Sequence, residues 1–291
     1  MKLSTQNHLL GERYGYEATT EMLKEAGFDT IDMSLFCLSD HPDTIFLTPE
    51  YKRRSLEILN HAKSLGMSFT QAHMAFMFKW DQEGEMENRV LPCTERGIEI
   101  CALMEIPHIV VHPLPGLFFN GKEEDEARQI QVDYYRSLEP FAREYGVKIA
   151  IENVGYTHSP ERFIQLYDTL DSDNFVGLVD VGHASLGGKT AQDFLRAVGG
   201  GRVAGLHIHD NDCKSDLHTT AGAGKLKWEE IMKALSDIDY RGELTYEADF
   251  FVRNFPKEIQ PDALKLMTKM GRYLIGRFDY YNSLKNGGQV K

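Results

Sequence analysis

Short apolar runs of strand character alternate with amphipathic helical stretches along the whole of this 291-residue chain, and the alternation repeats eight times. The strand-like runs fall at 2–7, 28–35, 67–73, 108–112, 148–153, 175–180, 203–209 and 242–247. Helical patterns lie between them: 16–26, stopped by Gly27; 50–65, stopped by Gly66; 95–105; and 123–145, stopped by Gly146. Then come a helix opened by Ser159-Pro160, two more at 190–198 and 227–235, and a last stretch over 261–281. Glycine just past a helix end suits the left-handed capping position, and proline behind a serine suits the first helical turn. Strands that alternate with helices pair in parallel, because each helix carries the chain back to the same end of the sheet. Eight such units without a linker between them predict a single (β/α)8 TIM barrel over 1–285 and a flexible tail over 286–291. An open doubly wound sheet shares the alternation but usually carries an early glycine-rich phosphate turn. Neither GxGxxG nor GxxxxGK[ST] occurs in this chain.

In a barrel the strand C-termini share one face, where active sites form. Six consecutive runs end in a side chain able to hold a metal: His73, His112, Glu152, Asp180, His209 and Glu247. Any one alone also reads as a cap or a solvated turn. Together they predict a divalent-metal site of hard oxygen and nitrogen donors, centred on Glu152, Asp180, His209 and Glu247. Three local motifs extend it. Asp180-Val181-Gly182-His183 sets a carboxylate and an imidazole around a tight turn, with the glycine freeing the backbone. In His207-Ile208-His209, residues two apart share a strand face, so His207 lies one layer deeper and either orients a ligand or fills the barrel. Asp216-Leu217-His218 sets an acid and an imidazole on a loop within reach of metal or substrate, and Gly222 and Gly224 allow a close turn before Trp228.

The irregular region 74–90 carries Phe76, Phe78 and Trp80 among charges. It is expected either to fold over the site or to pack on the rim or at a subunit contact. Phe118 and Phe119, after His112, raise the same choice. Lys225, in AGAGK, reads as a phosphate contact or a solvated loop lysine.

The 44 acidic residues outnumber the 32 basic ones, for a net charge of -12. Phosphate binding is driven by Lys and Arg, so this balance argues against nucleic acid as a partner. The four cysteines, Cys37, Cys93, Cys101 and Cys213, form no C-x-x-C pair and suit free thiols in a reducing cytosol. No window approaches the roughly 20 apolar residues of a membrane span. The N-terminus lacks a long apolar targeting segment. A cytoplasmic protein without membrane contact is expected, with a homo-oligomer left open.

IEN at 151–153, DVGH at 180–183, HIHDND at 207–212, D-x-H before a glycine turn and Trp228, and the terminal-strand Glu247 resemble the xylose isomerase-like TIM-barrel superfamily. That group includes sugar phosphate isomerases and epimerases, ketose 3-epimerases, inosose dehydratases and endonuclease IV. The resemblance covers nearly the whole chain and is strongest over 148–249. It implies that Glu152, Asp180, His209 and Glu247 bind one divalent metal (Mn, Co, Mg or Zn), with the two glutamates also acting as the acid and base pair, one removing a proton and the other delivering one. It implies isomerisation or epimerisation of a small sugar or sugar phosphate by proton abstraction and a metal-stabilised enediolate, with His183 bonding a substrate oxygen. A dehydratase of the inosose or dehydroshikimate type would use the same base. Endonuclease IV uses further ligands for a zinc cluster, and their counterparts here are His73, His112, His183, Asp216 and His218. An abasic-site nuclease is therefore a third reading. The chain departs from that enzyme, with HPLPG in place of its HPG run. It departs from the ketose 3-epimerases where they have a glutamate at His158.

Overall fold

The structure is a computed structural model, and it describes residues 1–116, 123–186, 190–285 and 287. Phe118, Phe119 and, apart from Gly287, the 286–291 tail lie outside the described residues. The chain opens with β1 (Leu3–Gln6), α1 (His8–Tyr14), α2 (Tyr16–Ala26), β2 (Thr30–Ser34), α3 (Cys37–Asp40), α4 (Tyr51–Ser64) and β3 (Ser68–His73). It continues through α5 (Leu91–Leu103), β4 (His108–Val111), α6 (Glu124–Tyr145), β5 (Lys148–Glu152), α7 (Pro160–Leu170) and β6 (Phe175–Asp180). It ends with α8 (Val181–Leu186), α9 (Ala191–Val198), β7 (Val203–His207), α10 (Trp228–Asp237), β8 (Leu244–Tyr246), α11 (Asp249–Arg253) and α12 (Gln260–Lys285).

The eight parallel strands form one sheet in the order β7-β6-β5-β4-β3-β2-β1-β8. Ile208, just past β7, bridges Tyr246 of β8 in parallel, and Glu247 N donates to Ile208 O at 3.0 Å. That bridge joins the two ends of the order, so the sheet forms a nearly closed (β/α)8 barrel, as the alternation predicts. Strands covered on both faces read as continuous apolar runs, and all four residues of β4 are buried. Among the described residues, no helix is long and apolar enough to cross a membrane.

Contacts divide the chain into two compact units, Met1–Ile31 with Leu178–Lys291, and Asp32–Gly177. Within Asp32–Gly177, His73 pairs with Val110, and the β4–β5 register runs from His108↔Lys148 to Val111↔Ile151. One further step brings His112 level with Glu152. Gly146 ends α6 in the left-handed region at φ 67°, and the Ser159 hydroxyl caps α7 ahead of Pro160. Within Met1–Ile31 and Leu178–Lys291, β1 pairs with β8 from Leu3↔Leu244 to Thr5↔Tyr246. On the outer side, Glu229 of α10 takes bonds from Tyr273, Arg277 and Tyr281 of α12.

Several elements differ from the sequence expectation. Helices α1, α3 and α11 fall outside the helical stretches expected from the sequence. Gly11 and Gly15 break the apolar period of α1, and α11 is only five residues long. Helix α5 starts at Leu91 because Pro92 sits in its first turn, where its missing N–H costs nothing, and a π-turn over Met86–Val90 leads into it. His209 lies two residues past β7, since Asp210 leaves the sheet to pair with Thr219 in an antiparallel bridge.

Candidate active site

The strand ends gather their predicted side chains into two clusters, one in each unit. In Asp32–Gly177 these are His73, His112 and Glu152, all buried. His112 Nε2 lies 2.8 Å from Glu152 Oε2, and His73 Nε2 lies 2.9 Å from His112 Nε2 and 3.6 Å from Glu152 Oε2. Three donor atoms thus converge on one point, the geometry a single cation requires. The Glu152 backbone carbonyl accepts the Thr157 hydroxyl, which holds the strand end. Aromatic rings back the imidazoles. Phe36 meets His73 edge-on at 5.0 Å, and Phe76 lies flat on His112 at 3.8 Å and 4°. Of the predicted cover, Phe76 therefore reaches the cluster. Phe78 is 63% exposed, and Trp80 ties its loop to the β4 loop by donating to Pro115 O at 2.8 Å.

In the other unit Asp180, His209 and Glu247 are joined by His183, Asp216 and His218. His209 is fully buried, with Nε2 3.1 Å from Asp180 Oδ1 and 3.5 Å from Asp216 Oδ1. Yet among the described residues neither of its ring nitrogens makes a hydrogen bond of ordinary geometry. A buried imidazole beside two carboxylates, aimed at their oxygens without bonding them, fits a metal ligand. His183, His209, Asp216 and His218 each offer a donor atom within 4.8 Å of the others. Asp216 Oδ2 lies 3.3 Å from His183 Nε2 and 3.1 Å from His218 Nε2. Burial opposes the charge of Asp216, but its hydrogen bonds with these two imidazoles hold the carboxyl well below the usual range. Burial likewise works against a charged His218, but the bond to Asp216 and the nearby Glu247 carboxylate push it up to about 9. His218 sits in the left-handed region at φ 43°, an uncommon conformation at a residue that Nδ1 also anchors to Glu247 O at 2.9 Å.

His207 belongs to this site rather than to barrel filling alone. Its Nδ1 lies 3.2 Å from Glu247 Oε2, and Gln6 donates to Oε1 of the same carboxylate at 3.4 Å. The segment after Asp180 is a helix and not the tight turn expected. The Asp180 carboxylate accepts from His183 N at 2.7 Å and so caps the start of α8. Gly182 is helical, and its role is steric: a Cβ there would stand 2.0 Å from His209 Cε1.

Sequence reasoning missed the residue that holds the 210–226 loop. Asp210 is fully buried. Its Oδ1 accepts from Asn211 N and Leu226 N at 2.9 and 3.0 Å, and its Oδ2 from Gly222 N and Trp228 Nε1 at 2.9 and 2.8 Å. Gly222, at φ 87°, makes the turn, and a Cβ at Gly224 would stand 2.2 Å from Asp210 Oδ1. The glycine turn therefore wraps a carboxylate that presents Asp216 and His218. The signal was an acid one residue past His209 with a glycine pair and a tryptophan downstream. Asp32 and Gln71, buried and bonded at 2.8 Å, were also missed. His158 caps a short turn through Gly155 O and touches neither cluster, and Lys225 lines a separate cavity of about 260 Å³.

Known proteins share this architecture. D-psicose 3-epimerase of Enterocloster bolteae is 24% identical over 245 residues, 80% of this chain and 76% of that one. Inosose isomerase of Bacillus licheniformis is 27% identical over 198 residues, 64% and 68% of the two chains. The crystal structure of the IolI protein with a bound zinc atom superposes at a TM-score of 0.74 and 17% identity, over 96% of this chain and 99% of that one. Residues 20–270 match the model of the xylose isomerase-like TIM barrel family, and the chain belongs to that family.

Proposed function

We propose that this protein is a divalent-metal-dependent isomerase or epimerase of a small sugar or sugar phosphate. The observation that carries the reading is His209, buried against Asp180 and Asp216 in a chain of this family and turned toward their oxygens without bonding them. The D-psicose 3-epimerase and inosose isomerase relatives support the reaction class, and the zinc-bound neighbour supports a metal. Glu152, Asp180, His209 and Glu247 hold one divalent ion: Mn, Co, Mg or Zn. His73, His112, His183, Asp216 and His218 are further ligands or substrate contacts. Bound there, the ion supplies Lewis acidity toward the substrate's carbonyl oxygen.

The protein's own groups handle the proton. Glu152 takes it from the carbon beside the carbonyl. Glu247 delivers a proton in the second half-reaction. Gln6, bonded to Oε1, and His207, 3.2 Å from Oε2, flank the carboxylate and orient it toward substrate. The test is exchange of substrate C–H for deuterium in D2O across ketoses and ketose phosphates, with each of the four metals. Exchange is expected, with a product whose mass differs from that of the substrate only by the deuterium taken up. A product lighter by one water would make the protein a dehydratase using the same abstraction. No exchange with any pair, or about three tightly bound zinc ions per chain together with cleavage at abasic DNA, would overturn the reading.

A further inference from the structure

The unit Asp32–Gly177 has a cavity of about 460 Å³ outside the His73, His112 and Glu152 cluster. Two rings border both: Phe36 and Phe76 line the cavity and also touch His73 and His112. Phe76 stacks in turn on Phe78 at 5.5 Å and 26°, so the rings run in series from the imidazole to an exposed outer ring. Polar residues share the lining with the aromatics: Asp40, Lys79 and Gln82. The loop is braced, since Arg89 bonds Glu85 at 2.6 Å, Ser39 Oγ at 3.3 Å and the Phe78 carbonyl. Lys79 sits at φ 69°, in the left-handed region that a lysine rarely adopts, and so marks a loop shaped by more than its own preference.

A lining of aromatic rings and hydrogen-bonding groups suits a sugar ring, which has an apolar face and a polar edge. The cavity's charges balance, Lys79 and Arg89 against Asp40 and Glu85, and Arg89 is already neutralised by Glu85. With Arg89 and Glu85 paired, Lys79 and Asp40 leave the cavity without net charge, so a phosphate finds no net attraction there and an uncharged ring loses nothing by comparison. The volume falls within the roughly 300–1,000 Å³ of ligand sites. Resting on the sugar-isomerase reading above, we infer that this cavity is a subsite for a second, uncharged sugar unit, so that the substrate is a glycosylated ketose and not a free or phosphorylated monosaccharide.

The probes are D-fructose, D-fructose 6-phosphate and the ketodisaccharides lactulose, maltulose, turanose and isomaltulose, offered to the metal-loaded protein. Deuterium exchange gives kcat/KM, and calorimetry gives binding without turnover. The ratio of kcat/KM for one disaccharide to that for fructose is expected to exceed about 10, which is one 1.4 kcal/mol step. It should fall to about 3 or less in Phe78→Ala and also in Gln82→Ala, a second variant in case the first misfolds. Disaccharide binding that depends on Phe78, without exchange on any probe, would sink the isomerase reading and keep the subsite. Exchange on fructose or its phosphate at least as fast as on every disaccharide, with ratios unmoved in both variants, would sink the subsite and keep the isomerase.

Discussion

The two clusters are built by different means. In Asp32–Gly177, His73, His112 and Glu152 all stand at or one residue past the ends of paired strands, so backbone ladders place them. In the other unit only Asp180 and Glu247 are placed that way. His209 lies past its strand, His183 is on α8, and Asp216 and His218 ride on a long loop. That second cluster depends on two arrangements elsewhere: the four bonds of Asp210 and the missing side chain at Gly182. Ligands on strand ends come with the fold, whereas ligands on loops need dedicated support, and that support is where a single substitution should separate the two clusters.

The largest expected effect tests whether one carboxylate from each cluster does the proton chemistry. Glu152→Gln and Glu247→Gln should each lower the exchange rate by about 10²–10⁴-fold, the usual contribution of a positioned acid or base. Circular dichroism and metal content should stay near those of the native protein. A variant that keeps near-native turnover would demote its glutamate to a plain ligand and leave the chemistry to the other cluster.

Next come the supports of the loop-borne cluster. Gly182→Ala drives a methyl into the His209 ring, and overpacking of this kind costs about 1–3 kcal/mol. Metal affinity should fall by about 10–100-fold, as when a ligand's support is lost. Asp210→Asn keeps the shape but turns an amide N–H₂ toward two N–H donors, so about 1–3 kcal/mol of stability is expected to go, with earlier proteolysis over 210–226. In both variants, compared with the native protein in the metal-free state, the NMR signals of His73 and His112 should hold still. Movement of those signals would show that the clusters are not built independently.

The same contrast governs what could be read from the chain. Strand ends were legible, because an apolar run that stops at His, Asp or Glu marks both the end of a strand and the polar face of a barrel. The helix ends at Gly27 and Gly146 and the start at Ser159-Pro160 were legible for the same local reason: one residue type suits one backbone position. The role of Gly182 was not, since a helical glycine packed on the ring of His209, far along the chain, looks in sequence like a turn. Asp210 was hidden among the neighbouring acids and amide of HIHDND, and only its four bonds single it out. His207 was placed on the right face by the two-residue strand period, but its contact with Glu247 depends on how β7 and β8 pair.

The smallest expected effect separates titration at the clusters from titration elsewhere. Asp29 pairs with Arg272 at 2.7 Å, away from both clusters. The hydrogen bonds from Arg272 lower its pKa, against the opposing effect of partial burial, and Leu3 N adds to the lowering. A carboxylate with a depressed folded pKa stabilises the protein above its unfolded value of about 3.9, and that stabilisation is lost as pH falls through the folded value. Arg272→Ala removes the depression. The pair is largely exposed, so solvent screening limits the loss to about 1 kcal/mol or less near neutral pH. The native and variant curves of melting temperature should therefore lie apart at pH 6 to 7, converge below about pH 4, and draw together in high salt at any pH. A gap that persists at low pH would mean that Arg272 acts through packing and not through the charge of Asp29, and a change in metal affinity would tie this surface pair to the loop-borne cluster after all.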